Sequence, residues 1–97
     1  MTILSSRERK ALRGRGHHLE PVVRVGQAGI HPGVIHKIEI ELRIHELIKI
    51  KVGQGAPLGA KEAAPLLVEQ TGAALVQVIG GVILLYKERP PEDEDQE

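Results

Sequence analysis

Residues 37–52 read KIEIELRIHELIKIKV, and no Gly, Pro, Asn or Asp interrupts them. How this run divides decides the topology, because a tight hairpin between two strands needs such a residue at its turn. Ile38, Ile40, Leu42 and Ile44 alternate with Glu39, Glu41, Arg43 and His45, the period of a half-buried strand and one that β-branched isoleucine favours. As a helix, the same segment places Val34, Ile35, Ile38 and Leu42 within an arc of about 100° but leaves Ile40 and Ile44 off it. Periodicity holds the two nearly even. Pro32 suits a first helical position, and the missing turn residues also favour a helix. Past Glu46, Ile48, Ile50 and Val52 alternate with Lys49 and Lys51, which predicts a strand with one apolar and one lysine face.

The flanking segments are easier to divide. Ser5-Ser6-Arg7-Glu8 has the spacing of a capping box, predicting a helix over residues 6–13 whose polar positions are nearly all basic and which Gly14 and Gly16 end. Residues 21–25, PVVRV, are β-branched and bounded by glycine, a strand pattern. Residues 53–59 form a loop, and residues 60–71 a helix ended by Gly72, in which Pro65 demands either a kink or a late start. Two apolar runs, 74–79 and 82–86, meet at Gly80-Gly81, a hairpin with glycines where positive φ is required. The order α-β-α-β-α-β-β predicts an α/β fold, a single compact domain with helices packed on a mixed sheet and no internal repeat.

The 97 residues suffice for one domain, and its core must be aliphatic, because the chain has no Phe or Trp and a single tyrosine, Tyr86. Little aromatic surface is left on which bases could stack. The absence of Cys excludes disulfides, thiolate catalysis and Cys-based zinc sites. Residues 1–10 lack the apolar segment of a signal peptide, and no apolar run approaches the ~20 residues that span a bilayer. A cytoplasmic location without a membrane partner is expected.

The zero net charge hides an asymmetry. Residues 1–51 carry ten Lys or Arg against five Glu, and residues 52–97 carry three against eight acids, five of them in the ending PPEDEDQE. The expected organisation is a basic folded domain over residues 1–89, of charge +5, followed by a disordered acidic tail over residues 90–97.

Gly26-Gln27-Ala28-Gly29 lies between the first strand and the second helix. Glycines at both ends of such a turn allow close backbone approach, and free N–H groups in the helix's first turn would offer hydrogen bonds to an anion. The segment is too short for a P-loop, lacks that loop's Lys and Ser/Thr, and lacks the third glycine of a dinucleotide fingerprint. It matches the GXXG loop with which KH-type domains clamp an RNA backbone, a pattern that also occurs in ordinary turns. Around it the sequence supplies Arg24, Lys37, Lys49 and Lys51, and a first helix bearing Arg7, Arg9, Lys10, Arg13 and Arg15, with His17 and His18 following. Distributed cations without aromatics suit phosphate contacts, although Lys49 and Lys51 would equally protect a sheet edge against strand pairing.

The stretches LRGRGHHLEPVVRVGQAGIHPGV, HELIKIKV and TGAALVQVIGGVILLYK, covering most of residues 12–87, resemble the CRM domain, the chloroplast RNA splicing and ribosome maturation module, in its bacterial single-domain YhbY-like form. The resemblance implies a mixed four-stranded sheet with flanking helices, a helix over residues 33–45, a KH-like GXXG loop made of Gly26, Gln27, Ala28 and Gly29 that contacts RNA, and a role in large-subunit ribosome assembly. The chain departs from the family in its acidic tail and in Pro65.

Other chemistry finds little support. The five histidines, His17, His18, His31, His36 and His45, show no i, i+4 pair, so no metal is expected. Glu39 and Glu41 would face different sides of a helix, and Ser5, Ser6 and Thr71 suit capping, so no catalytic set, cofactor or small-molecule substrate is expected. The leading expectation is a non-catalytic RNA-binding protein whose partner is ribosomal RNA in large-subunit precursors. The rival is a protein-interaction adaptor that uses the sheet or a helix face together with the acidic tail. Because five acids on a flexible segment would compete with phosphate for the basic domain, deleting residues 90–97 is expected to raise RNA affinity at low salt; unchanged affinity in a titration would contradict this.

Overall fold

The structure, a computed structural model, describes residues 4–90. Residues 91–97, nearly all of the expected acidic tail, lie outside the described residues. The elements are α1 (Ser6–Gly16), β1 (Pro21–Val25), α2 (Pro32–His45), β2 (Leu47–Val52), α3 (Ala60–Thr71), β3 (Ala74–Ile79) and β4 (Val82–Tyr86). The strands form one mixed sheet in the order β1-β2-β4-β3, with β1 parallel to β2 and the other pairs antiparallel. Parallel neighbours cannot be joined by a hairpin, and α2 supplies the crossover.

The sheet divides the core in two. Val23, Val25, Ile48, Ile50, Val52, Ile83 and Leu85 face α2 and α3, where Ile38, Leu42, Ala63 and Leu67 meet them. The other face carries a smaller cluster in which Leu12 of α1 packs on Leu47, Val76 and Leu84. Residues 37–45 are therefore helical, as the family resemblance implied. The off-stripe isoleucines remain outside, Ile40 43% and Ile44 55% exposed.

The passage from α2 to β2 occurs at Glu46, which has φ +65 and ψ −41. A non-glycine residue there is strained by roughly 1–3 kcal/mol and needs to be held. Its N–H donates to the Leu42 carbonyl at 2.8 Å, and its carbonyl accepts the Lys87 N–H at 2.9 Å. Its carboxylate accepts the Arg89 N–H at 2.8 Å and lies 3.8 Å from Arg89 Nε. The segment leaving β4 thus pins the turn.

The structure revises other boundaries. α1 does not stop at Arg13 but continues through Gly14 to Gly16. Gly16 is pressed on the sheet, since a Cβ there would lie 2.6 Å from Leu84 Cδ2. At its start Ser5 and Glu8 cap each other reciprocally, and the Ser5 N–H and hydroxyl hold the Glu8 carboxyl below its ordinary pKa. α3 begins at Ala60, where Glu62 accepts the Gly59 N–H at 2.9 Å. Pro65 sits inside the helix on its exposed side, so the bond it forfeits, to the Lys61 carbonyl, faces solvent. In the hairpin only Gly80 has positive φ, +57. Gly81 is needed for proximity instead, because a Cβ would stand 2.9 Å from the Val52 carbonyl oxygen.

At an ordinary site glycine is less stabilising than alanine. At position 46 the order should invert. Both Glu46→Ala and Glu46→Gly lose the Arg89 contacts and should be destabilised in urea unfolding, Glu46→Ala by about 1–3 kcal/mol more than Glu46→Gly, the cost of a strained positive-φ backbone in an L-residue. Equal losses would mean that the turn carries no strain.

Candidate functional site

The C-terminal ends of β1 and β2 and the β3–β4 hairpin lie at one end of the sheet, as their registers require. There, Gly26-Gln27-Ala28-Gly29 form a turn closed by the Gly29 N–H donating to the Gly26 carbonyl at 2.9 Å. The two glycines are not equivalent. Gly29 is buried with φ +69, and a Cβ on it would lie 2.9 Å from Pro57 Cγ. Gly26 is exposed, and a Cβ there would meet nothing within 4 Å. The loop of residues 53–59 therefore buttresses the turn from behind, and the Gly53 N–H bonds the Val25 carbonyl at 2.9 Å. Gln27 and Ala28 are left at the tip. Among the described residues their backbone N–H groups have no protein acceptor.

The first turn of α2 is not available in the way expected. Pro32 has no N–H, the Gly33 N–H is taken by His31 Nδ1 at 3.1 Å, and the Val34 N–H bonds the His31 carbonyl at 3.0 Å. His31 is the N-cap of α2, a role that its place directly before an N1 proline would have disclosed. Beside this cap an open groove of about 540 Å³ runs between β1 and α2, lined by Arg24, His31, Gly33, Val34 and Lys37 and, among the described residues, by no carboxylate.

The expected basic residues do not form one patch. Arg24 and Lys37 flank the groove next to the turn. The arginines and lysine of α1 lie across the sheet from α2, because α1 packs on the opposite face. Arg7, Lys10 and Arg15 are exposed there and Arg13 is half-buried. Arg9 has a structural contact, its Nε donating to the Leu75 carbonyl of edge strand β3 at 3.4 Å. His18 is exposed beyond α1, while His17 lines a hollow with Lys49, Gln77, Ile79 and Val82. Lys49 and Lys51 are on β2, which is a central strand, so edge protection does not account for them. Arg24 and Lys51 are paired in register across β1 and β2, joining the two regions at the sheet's end. Among the described residues no three His, Asp or Glu side chains converge as a metal site would require, and no helix is long and apolar enough to cross a membrane.

An exposed turn with unpartnered amides, flanked by cations on an aliphatic α/β scaffold, is chemically suited to holding anions. The sequence profile of the CRS1 / YhbY (CRM) domain matches residues 4–87, and the chain belongs to this family. It is 45% identical over 94 residues to an "RNA-binding protein" of Haemophilus influenzae, covering 96% of this chain and 92% of that protein. It is 37% identical over 86 residues to the "Probable RNA-binding protein YqeI" of Bacillus subtilis, covering 89% and 90% of the two. The solution structure of the hypothetical protein SAV1595 from Staphylococcus aureus superposes with a TM-score of 0.78 at 36% identity, covering 95% of this chain and 96% of that one.

The two glycines of the turn should respond differently to alanine. Gly29→Ala is expected to lower unfolding stability by at least about 1–2 kcal/mol, the cost of αL backbone alone, with the Pro57 clash in addition. Gly26→Ala should leave stability within about 0.5 kcal/mol of the parent, as an open surface position does. Urea unfolding of both variants measures the difference.

Proposed function

We propose that this chain is a non-catalytic, cytoplasmic RNA-binding protein that holds ribosomal RNA in large-subunit precursor particles during ribosome assembly. The observation that carries the proposal is the exposed tip of residues 26–29, whose Gln27 and Ala28 amides stand free beside a groove flanked by Arg24 and Lys37. Backbone N–H groups and cations together satisfy a phosphate without reading a base. The RNA-binding names of the relatives from H. influenzae and B. subtilis support the same reading. With one tyrosine and no Phe or Trp, recognition would rest on RNA shape. Exposed Arg7, Lys10 and Arg15 would widen the footprint electrostatically. No cofactor or small-molecule substrate enters this function.

One observation favours the adaptor reading. Ile40 and Ile44, one turn apart on the outer side of α2, are 43% and 55% exposed, and Ile40 borders a hollow between α2 and residues 87–90. Salt separates the two, because RNA affinity falls steeply with ionic strength while an apolar protein interface changes little.

The test is sedimentation of a cell lysate through a gradient, comparing the parent with Ala28→Asp. Ala28 is exposed at the tip and outside the buried, strained position of Gly29, so its replacement places a negative charge in the loop without disturbing the turn's support. The parent should follow large-subunit precursors, and the folded variant should stay at the top. Particle association that Ala28→Asp leaves unchanged would remove the loop from the function.

A further inference from the structure

α1 does not cover its whole face of the sheet. It crosses at Leu12, which packs on Leu47, Val76 and Leu84, and its last residue, Gly16, rests on Leu84. The next row toward the sheet's loop end is Arg24, Lys51, Val82 and Ile79, one residue from each strand in register order. All four are on this face, because their neighbours Val25, Val52 and Ile83 belong to the cluster under α2 and α3 and Val78 packs against it. None is buried, and Ile79 is 60% exposed. Lys49 follows two residues back from Lys51 and lines the hollow at the end of α1 with His17, Gln77, Ile79 and Val82.

A central strand ordinarily puts apolar side chains on both faces when both are covered. Here β2 has Ile48, Ile50 and Val52 toward α2 and α3, but Lys49 and Lys51 toward the part that α1 leaves open. The ammonium of Lys51 lies over the hairpin, 3.6 Å from where a Cβ on Gly81 would stand. Among the described residues no carboxylate lines the adjoining hollow. Alternate residues of one strand repeat at roughly 6.6 Å, so Lys49 and Lys51 present an evenly spaced pair of charges on a rigid support. Arg24 ends the same row at the β1 edge and also lines the groove beside the turn of residues 26–29.

We propose that this open half of the α1 face is a second RNA-contact surface, on which Lys49 and Lys51 take successive backbone phosphates while Val82 and Ile79 floor the site, and that Arg24 carries the strand around the β1 edge to the GXXG turn. The inference rests on the RNA-binding reading above and adds a second place of contact. Its occupant is an RNA backbone rather than a protein, because Lys49, Lys51 and Arg24, placed along one end of the sheet beside a hollow that no carboxylate of the described residues lines, complement a row of phosphates, and contact there is independent of base identity.

The experiment measures binding of a short fluorescein-labelled RNA hairpin with a single-stranded extension across a salt series. It uses the full-length parent, the double variant Lys49→Gln with Lys51→Gln, Ile79→Glu, and Ala28→Asp, each checked for parental urea unfolding. The lysine pair should reduce the slope of log affinity against log salt by about 1.4, two phosphates at ~0.7 each for a single strand. Ile79→Glu, at an exposed position, should weaken binding several-fold and serves if the double variant does not fold. Parental slope and affinity in both sheet variants, with binding lost in Ala28→Asp, would overturn the second surface and leave the turn in place. Loss in the sheet variants with Ala28→Asp unaffected would uphold the surface and remove the turn. A parent that does not bind RNA would overturn both.

Discussion

The fold depends on how the chain reverses at Glu46. In one residue the backbone leaves α2 and enters β2, with positive φ and no glycine to relieve it. The conformation survives because four bonds or ion contacts, from Leu42, Lys87 and Arg89, leave it no alternative. Its consequence is phase. A side-chain period of two means that the residue at which β2 begins decides which face every later residue occupies. Beginning at Leu47, the strand sends Ile48, Ile50 and Val52 under α2 and α3 and sends Lys49 and Lys51 to the other side. A slip of one residue would bury two lysines.

The same register builds the candidate site. Parallel pairing of β1 with β2 brings the turn of residues 26–29 against the loop of residues 53–59, where Pro57 closes the space beside Gly29. Rigidity comes from behind the turn, and Gln27 and Ala28 remain at its tip. Arg24 and Lys51, far apart in sequence, become neighbours for the same reason. His31 takes the Gly33 amide that would otherwise be free, so in the proposed function the anion contacts fall to the tip and the cations beside it.

Much of this was legible in the sequence. Ser5 with Glu8, the β-branched strand at residues 21–25, and the glycines at 72 and 80 each state a local rule that the structure obeys. The division at Glu46 was also legible, from the alternation after it and from the resemblance, but the strained turn that makes it was not, because long-range contacts to Lys87 and Arg89 hold it and it carries no turn residue of its own. The length of α1 was misread for a related reason, since glycine ends helices by local rule but Gly16 is kept inside one by its packing on Leu84. Position also changed the meaning of charge. Lys49 and Lys51 suited an edge strand until the topology put β2 at the centre, and Arg9 counted as a free cation until β3 supplied the Leu75 carbonyl.

The central claim is that RNA meets this protein at the loop end of the sheet, on the tip of residues 26–29 and its flanking cations. Amide NMR of isotope-labelled protein during titration with RNA tests it most directly, since every backbone N–H except those of proline reports separately. The account predicts that the Gln27 and Ala28 amides shift most, with Arg24 and Lys51 following and the outer side of α2 around Ile40 and Ile44 unmoved. Shifts confined to that side of α2, with residues 26–29 unchanged, would contradict it.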